Sequence, residues 1–273
     1  GKIPKVNDDG MFVGQDQPIA IRALKRFACD HFGPEARPTS EVLDSIRNFI
    51  PPVAADTEEM AALLRSATNS SIEKGDSQKI AIIGAGPAGL SAAHDLALLG
   101  FKPVVFEIEP VAAGMLAVGV PAYRLPRELI EKEIAVIEAL GVEIRCGVKV
   151  GEDITFAELR EDFAAVIIAV GAKSSRGLGL TGEDGPGVIG GVDLLRAVSL
   201  GDDLDMGREI VVIGGGNAAM DAARTAVRLG VETVTLLYRR SRKEMPAHPE
   251  EVAATEEEGT LMEFLVSPTR LLI

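Results

Sequence analysis

The stretch that most constrains the fold runs from residue 79 to residue 107 and reads KIAIIGAGPAGLSAAHDLALLGFKPVVFE. A short run of β-branched and apolar residues, Lys79–Ile83, predicts a buried strand. Leucines and alanines then recur at helical spacing until Gly100, where we expect the helix to end. A second apolar run, Val104–Phe106, predicts the next strand, which ends on Glu107. The order strand, glycine turn, helix, strand and acid is typical of a βαβ unit that binds a dinucleotide.

The glycine turn has the spacing G-x-G-x-x-G, and each position has a physical reason. The first glycine permits the tight turn, the second lets the backbone approach a pyrophosphate, and the third lets the helix pack on the strand. The helix N-terminus offers free N–H groups to phosphates, and the acid can accept hydrogen bonds from an adenosine ribose. A turn that binds nothing is the alternative, and the complete context disfavours it. The residues predicted to bind this nucleotide are Gly84, Ala85, Gly86, Pro87, Ala88, Gly89 and Glu107.

A second glycine motif follows later in the chain. A predicted strand at Glu209–Ile213 precedes GGGNAAMDAARTAVRLG, and another predicted strand follows at Thr233–Leu237. The third glycine position holds Ala219, an accepted variant of the pattern. After the second strand comes Tyr-Arg-Arg rather than an acid, with Arg242 just beyond. Arginine binds a ribose 2′-phosphate where an acid would repel it, so this site predicts NADP(H), with surface charge as the alternative. The predicted site residues are Gly214, Gly215, Gly216, Asn217, Ala218, Arg239 and Arg240.

Two such motifs, in the order acid and then arginine, predict a flavoprotein that uses a pyridine nucleotide. In that architecture an NADP domain is inserted within an FAD domain, and a hydride passes from nicotinamide to flavin. Hydride transfer needs no acid–base pair, so no catalytic residue is predicted, and we expect His31, His94 and His248 to be structural. The segment EPVAAGMLAVGVPAYRLPREL, after the first acid, is rich in small residues. From the residues alone, it fits a path for the flavin and an ordinary connecting loop equally well.

Composition narrows the function classes. The chain has 273 residues, 47% hydrophobic and 25% charged, which is enough for one large or two ordinary domains. Its net charge of −13 argues against a general nucleic-acid or anionic-membrane surface. No apolar run reaches the roughly 18 residues of a membrane span, and the N-terminus is not a signal peptide. Cys29 and Cys146 form no C-x-x-C motif, so no metal site or in-chain iron–sulfur ligand set is predicted. We expect both to be small buried residues of a reduced, cytoplasmic protein.

The chain before the first glycine motif predicts a helical segment. One helix is expected from near Asp16 to Gly33, a second over Ser40–Ile50 and a third capped by Thr57, followed by a polar linker over residues 66–78. Between the glycine motifs we expect helices at Pro126–Leu140 and Gly191–Leu200 and strands at Val142–Arg145 and Phe163–Val170. The predicted class is therefore α/β, with a helical segment over residues 1–76, an FAD-binding domain over 77–205 and an NAD(P)H-binding domain over 206–273.

Four segments together resemble a known family: IAIIGAGPAGLSAAHDLA, VPAYRLPREL, VVIGGGNAAMDAARTA and LLYRRSRKEMPA. They are similar to the small (β) subunit of NADPH-dependent glutamate synthase and its relatives, and the resemblance covers almost the whole chain. DQPIAIRALKRFACDHF is similar to the end of the helical iron–sulfur domain that precedes the flavin domain there. The flavin half of dihydropyrimidine dehydrogenase is similar too, as are flavin subunits of bifurcating transhydrogenases, hydrogenases and formate dehydrogenases.

The resemblance implies roles for individual residues. Gly84–Gly89 would bind the FAD pyrophosphate and Glu107 its adenosine ribose. Gly215–Ala218 would bind the NADPH phosphates, with Arg239 and Arg240 on the 2′-phosphate. Electrons would pass from NADPH to FAD and on to [4Fe-4S] clusters in an N-terminal segment or a partner subunit. The implied FAD site also includes Gly114, Met115, Arg124 and Val150.

Two parts of the family pattern fall outside this sequence. The cysteine-rich cluster segment would precede residue 1, and a second flavin-contacting Gly-Asp motif would follow residue 273. We therefore expect a piece of a longer protein or one half of a split one. The leading hypothesis is an FAD-dependent NAD(P)H oxidoreductase subunit in a hetero-oligomer with a glutamate synthase large-subunit-like or other iron–sulfur partner. The alternatives are a dihydropyrimidine dehydrogenase subunit and a non-catalytic FAD-binding scaffold subunit of a large redox complex.

Overall fold

The computed structural model describes residues 4–6, 12–15, 21–34, 36–47 and 78–272. The chain divides into two compact units, Gly1–Pro51 and Pro52–Ile273. In these described ranges no helix combines the length and the apolar character that crossing a bilayer requires. The domain boundaries drawn from the sequence stay predictions.

The first unit contains a hairpin and two helices. Strands β1 (Pro4–Val6) and β2 (Phe12–Gln15) pair antiparallel, and helices α1 (Ile21–Phe32) and α2 (Thr39–Arg47) follow. The hairpin departs from the purely helical prediction, because a backbone ladder between short strands needs no side-chain period. Gly33 ends α1, and its N–H donates to the carbonyl oxygen of Cys29 at 3.0 Å. The third predicted helix and the linker before residue 78 lie outside the described residues.

The first parallel sheet of the second unit has four strands in the order β5-β4-β3-β6. Its strands are β3 (Lys79–Ile83), β4 (Lys102–Glu107), β5 (Glu143–Cys146) and β6 (Ala165–Ile168). Its helices are α3 (Pro87–Leu98), α4 (Met115–Val118), α5 (Arg127–Ala139) and α6 (Phe156–Asp162). The central strands are covered on both faces, so Ile82 and Val105 are fully buried. We call residues 79–168 the first glycine unit.

Helix α7 (Gly191–Leu200) leads to a three-stranded parallel sheet in the order β7-β8-β9. Its elements are β7 (Glu209–Ile213), α8 (Asn217–Arg228), β8 (Thr233–Tyr238), a 3₁₀ turn (Arg242–Glu244), α9 (Pro249–Glu257) and β9 (Leu261–Phe264). Its core forms around the fully buried Met220 and Leu236. We call residues 209–264 the second glycine unit. The two parallel sheets with helical crossovers confirm the predicted α/β class.

Three short helices were not predicted. Helix α6 begins with a capping box, in which Thr155 and Glu158 satisfy each other's backbone N–H groups, and the sequence TFAE carries that signal. Helix α9 begins with Pro249, and a proline at the first helical position is another start signal. Helix α4 lies in the segment expected to be a flavin path or a connecting loop, and its Ala117 and Val118 are buried.

Both cysteines differ from the prediction, because both are exposed. Cys29 lies on α1, whose described side chains are all exposed. Cys146 ends β5, which among the described strands pairs only with β4 and therefore lies at an edge of that sheet. The prediction that both are buried is wrong, since it used the average behaviour of cysteine and not the position of an edge strand.

Candidate functional site

The first glycine turn joins β3 to α3 and leaves an open space beside the helix. Gly84 has a φ of +106°, which other residues rarely adopt, and its N–H donates to the carbonyl oxygen of Phe106 at 2.7 Å. A Cβ on Gly89 would overlap the Gly84 carbonyl oxygen, so the helix packs directly on the turn. A Cβ on Gly86 would meet no atom within 4 Å, and no side chain caps α3. The turn therefore presents unoccupied helix N–H groups to an open space, as an anion site requires.

Glu107 is buried and holds this turn in place. Its Oε2 accepts a hydrogen bond from the N–H of Ala85 at 2.7 Å, and its Oε1 accepts one from the N–H of Glu109 at 2.9 Å. The carboxylate thus ties the glycine turn to the end of β4. Each oxygen keeps a further acceptor position, so a bond to a ribose hydroxyl stays a prediction.

The segment after β4 packs against the same turn. The N–H of Ala113 donates to the carbonyl oxygen of Ala85 at 2.8 Å. A Cβ on Gly114 would lie 2.9 Å from the Cα of Gly86, so the two backbones are in close contact. The structure therefore brings Gly114, with Met115 next to it, to the first glycine turn. The side chain of Val150 instead packs into the cluster around Phe106, away from this contact.

The second glycine turn repeats this geometry. The N–H of Gly214 donates to the carbonyl oxygen of Leu237 at 3.0 Å. A Cβ on Gly215 would lie 2.5 Å from the ring of Tyr238, whereas a Cβ on Gly216 would meet no atom within 4 Å. No side chain caps α8. This turn also leaves open space beside a free helix N-terminus.

The loop after β8 is fastened to the second turn. The hydroxyl of Tyr238 donates to the carbonyl oxygen of Glu244 at 2.9 Å. The Glu244 carboxylate accepts from the N–H of Ser241 at 3.1 Å and from its hydroxyl at 2.9 Å, and these bonds lower the pKa of Glu244. The N–H of His248 donates to the Asn217 Oδ1 at 3.1 Å. Asn217 therefore shapes the site by holding the loop that carries the predicted arginines.

The three arginines in that loop differ in their surroundings. Arg239 and Arg240 are exposed. Within the described part of the chain, neither guanidinium has a hydrogen bond or an ion pair, although Arg240 is attracted to Glu244. Arg242 is ion-paired with Glu256 on α9. Two arginines are therefore available to a phosphate, and the third is held by the protein.

The guanidinium of Arg124, a predicted FAD contact, binds acids of the second glycine unit. Its Nη1 lies 2.8 and 2.7 Å from the two carboxylate oxygens of Asp221, and its Nη2 lies 3.2 Å from a carboxylate oxygen of Glu251. Burial raises the pKa of Asp221, and the Arg124 guanidinium opposes that shift. Sequence reasoning missed Asp221, although an acid between Met220 and Ala222 in an otherwise small, apolar run was a signal.

Glu109 is a second acid that sequence reasoning missed. It is buried, and its carboxylate binds Lys173 Nζ at 2.8 Å and Arg196 Nη2 at 2.7 Å. The Arg196 hydrogen bond and Lys173 lower the pKa of Glu109, against the opposing effect of burial. This cluster joins the end of β4 to α7 and to the loop after β6.

Arg127 was also missed, and it shapes the loop between α4 and α5. It donates to the carbonyl oxygens of Leu116 at 2.9 Å and Val120 at 2.8 Å, and to the Ser199 hydroxyl on α7 at 3.1 Å. Burial lowers the pKa of Arg127.

A cavity of about 490 Å³ lies at the other end of β7 from the glycine turn. Residues 201–207 before the strand and 229–231 after α8 line much of it, and no predicted site residue does. Over the described ranges, no group of three His, Cys, Asp or Glu residues is arranged to hold a metal ion.

Comparison with known proteins agrees with this architecture. The chain is 46% identical to the β subunit of an NADP⁺-dependent formate dehydrogenase from Moorella thermoacetica, over 94% of this chain and 36% of that subunit. It is 41% identical to the NADPH glutamate synthase small chain of Halomonas elongata, over 71% of this chain and 43% of that protein. The chain thus spans less than half the length of these relatives. The resemblance to glutamate synthase small chains is confirmed.

Among solved structures, FprA from Mycobacterium tuberculosis in complex with NADPH superposes with a TM-score of 0.56 and 27% identity. The match covers 67% of this chain and 48% of FprA. The family model described as pyridine nucleotide-disulphide oxidoreductase matches residues 78–261, which include the first glycine unit and all but the last three residues of the second. The chain therefore belongs to the pyridine nucleotide-disulphide oxidoreductase family.

Proposed function

We propose that this chain is the nucleotide-binding part of an oxidoreductase subunit that binds FAD in its first glycine unit and NADPH in its second. The observation that carries the proposal is the pair of glycine turns. Gly86 and Gly216 each leave open space beside a helix N-terminus. The strand after the first turn ends on Glu107, and the strand after the second is followed by Arg239 and Arg240. FAD bound in the first site would accept a hydride from NADPH. The names of the two relatives support the same cofactor, since both include NADP⁺ or NADPH.

The first site fits the adenosine end of FAD. The open space at Gly86 would take the pyrophosphate, because the α3 N-terminus supplies N–H groups and a favourable dipole. The Glu107 carboxylate would accept a hydrogen bond from a ribose hydroxyl, because the N–H groups of Ala85 and Glu109 use only one acceptor position on each of its oxygens. The close packing of Gly114 on Gly86 supports the segment after β4 as the flavin path.

The second site fits NADPH. The open space at Gly216 and the α8 N-terminus would take the pyrophosphate. Arg239 and Arg240 would bind the 2′-phosphate without breaking an ion pair seen in the described residues. Asn217 would act indirectly, by holding the arginine loop through His248.

The proposed partner is an iron–sulfur subunit that accepts electrons from the flavin, in a hetero-oligomer in the cytoplasm. Both relatives are named as a subunit or a chain of a larger enzyme. Purification of the complete gene product through a tag on this chain should retain the partner. Isolation of a monomer that reduces its physiological acceptor unaided would contradict the hetero-oligomer.

Two alanine substitutions test the two sites separately. A Cβ at Gly86 or Gly216 meets no protein atom, and both residues have φ values that alanine accepts, so Gly86→Ala and Gly216→Ala should fold normally. The added methyl group enters the space proposed for a pyrophosphate. We expect Gly86→Ala to lose FAD, measured as flavin per protein, and Gly216→Ala to keep FAD but raise the Kd for NADPH.

The flavin released by the unaltered protein should be FAD. Release of FMN alone would contradict the first site. Normal FAD content in Gly86→Ala would show that the first site is wrongly assigned. A lower FAD content with normal NADPH affinity in Gly216→Ala would show that the second site is wrongly assigned.

A further inference from the structure

An ion pair between a buried acid and a partly buried arginine joins the two glycine units at a point that neither proposed phosphate site uses. Tyr123 and Arg124 lie in the first glycine unit, between α4 and α5, and Asp221 lies on α8 of the second. The bond from Arg124 to both oxygens of Asp221 is short, and only 5% of Asp221 is exposed. Loss of Arg124 would leave the buried Asp221 charge without this partner, and loss of the Asp221 charge would leave Arg124 with its longer contact to Glu251, so this pair differs from an exposed surface ion pair.

The neighbouring tyrosine adds a second contact to the same helix. The guanidinium carbon of Arg228 lies 3.9 Å from the centroid of the Tyr123 ring, and that of Arg224 lies 4.8 Å from it. These distances fall within the range of cation–π attraction. Asp221, Arg224 and Arg228 are spaced at three and four residues, so they share one face of α8. Two consecutive residues of the first glycine unit therefore hold one face of helix α8 in the second glycine unit.

Helix α8 is also the helix whose N-terminus forms the proposed NADPH pyrophosphate site. A helix moves as a rigid rod, so a contact that fixes its face also fixes the direction in which its N-terminus points. Helix α7 packs against α4 and α8 too, but apolar packing is non-directional, whereas hydrogen bonds to a guanidinium require one geometry.

We propose that Tyr123, Arg124 and Asp221 form a positioning clamp that aligns the NADPH-binding unit with the FAD-binding unit. The catalytic effect of the clamp, though not the contact itself, rests on the proposed function. Its residues act through the orientation of α8 and do not bind the reacting atoms. Misalignment of reacting groups by about 1 Å can slow a reaction roughly 100-fold, so the clamp should affect the rate of hydride transfer more than binding.

The test uses the complete gene product and the rate of flavin reduction by NADPH. Asp221→Asn keeps the side-chain shape but removes the charge, and we expect it to lower that rate about 10- to 100-fold. The KM for NADPH and the FAD content should change by no more than about twofold. Tyr123→Phe keeps the ring and should keep the rate, whereas Tyr123→Ala should lower it. Glu232→Gln is the control, because the Arg208–Glu232 ion pair is exposed and neither residue belongs to the first glycine unit.

Three results of these measurements would contradict the proposed clamp. Loss of FAD in parallel with the rate would mean that the pair holds the flavin. A higher KM at unchanged kcat would assign it to NADPH binding. Normal rates in both Asp221→Asn and Tyr123→Ala would show that it positions nothing.

A second measurement separates the clamp from the proposed function. If the unaltered protein does not reduce flavin with NADPH, the proposed function fails, and amide hydrogen exchange still tests the clamp. Exchange at residues 119–125 should speed up in Asp221→Asn and not in Glu232→Gln. Equal exchange in all proteins would overturn the clamp.

Discussion

The two free arginines after β8 should determine which nicotinamide nucleotide is used. Arg239→Ala combined with Arg240→Ala removes both guanidiniums that are available to a 2′-phosphate. A hydrogen bond to a charged group contributes about 1.5–3 kcal/mol, and we use the low end because both arginines are exposed. Since about 1.4 kcal/mol is a factor of ten, each arginine should contribute roughly tenfold and the pair roughly 100-fold in kcat/KM for NADPH.

The single variants should not be equal. Arg240 is attracted to Glu244, which offsets part of its attraction for a phosphate, whereas Arg239 has no such partner among the described residues. Arg239→Ala should therefore cost more than Arg240→Ala. Arg242→Ala is the matched control, because Arg242 is already paired with Glu256. We expect it to change kcat/KM for NADPH by less than about threefold, in the range of an exposed pair.

The assay is steady-state kinetics with NADPH and NADH for all four variants. The double variant should lose activity with NADPH and change little with NADH, because NADH has no 2′-phosphate. An equal loss with both nucleotides would refute the reasoning, since the arginines would then not recognise the phosphate. A loss in Arg242→Ala as large as in Arg239→Ala would refute the division between free and paired arginines.

Two further predictions concern stability. Glu107→Ala leaves the N–H groups of Ala85 and Glu109 without their acceptor, so it should lower the free energy of unfolding by about 2 kcal/mol or more in urea titration. The control is Glu143→Ala, which breaks an exposed ion pair and should cost less than about 1 kcal/mol. Equal losses in the two variants would contradict the structural role of Glu107. Ion pairs with Arg228 and then Arg224 hold the pKa of Glu258 at about 2, against an ordinary 4.5, so the stabilisation that they give is present above pH 4.5 and is lost as the pH falls towards 2. The difference in unfolding free energy between the unaltered protein and Glu258→Gln should therefore shrink over that pH range. A constant difference would contradict the stabilising role of these ion pairs.

The sequence predicted those parts of the molecule that depend on local pattern. The glycine turns, their flanking strands and the free arginines are close in the chain, and glycine spacing and apolar period identify them. The capping box of α6 was equally local and could have been read. The β1–β2 hairpin could not, because backbone pairing in such short strands leaves no period in the side chains.

The parts that the sequence did not predict depend on contacts between distant residues. Arg124 and Asp221 are 97 residues apart, and no local pattern in either segment indicates that the two side chains are in contact. Glu109 likewise meets Lys173 and Arg196 only after β6 and α7 are in place. The exposure of Cys146 follows from the position of β5 at a sheet edge, which residue type does not reveal.

The most direct test of the central claim is an anaerobic titration of the complete gene product with NADPH, followed by the visible absorption of its bound flavin. We expect NADPH to bleach the flavin stoichiometrically, and we expect the Gly216→Ala variant to need far more NADPH for the same change. Bound FAD that NADPH leaves fully oxidised would contradict hydride transfer between the two sites and would leave the chain as a nucleotide-binding scaffold.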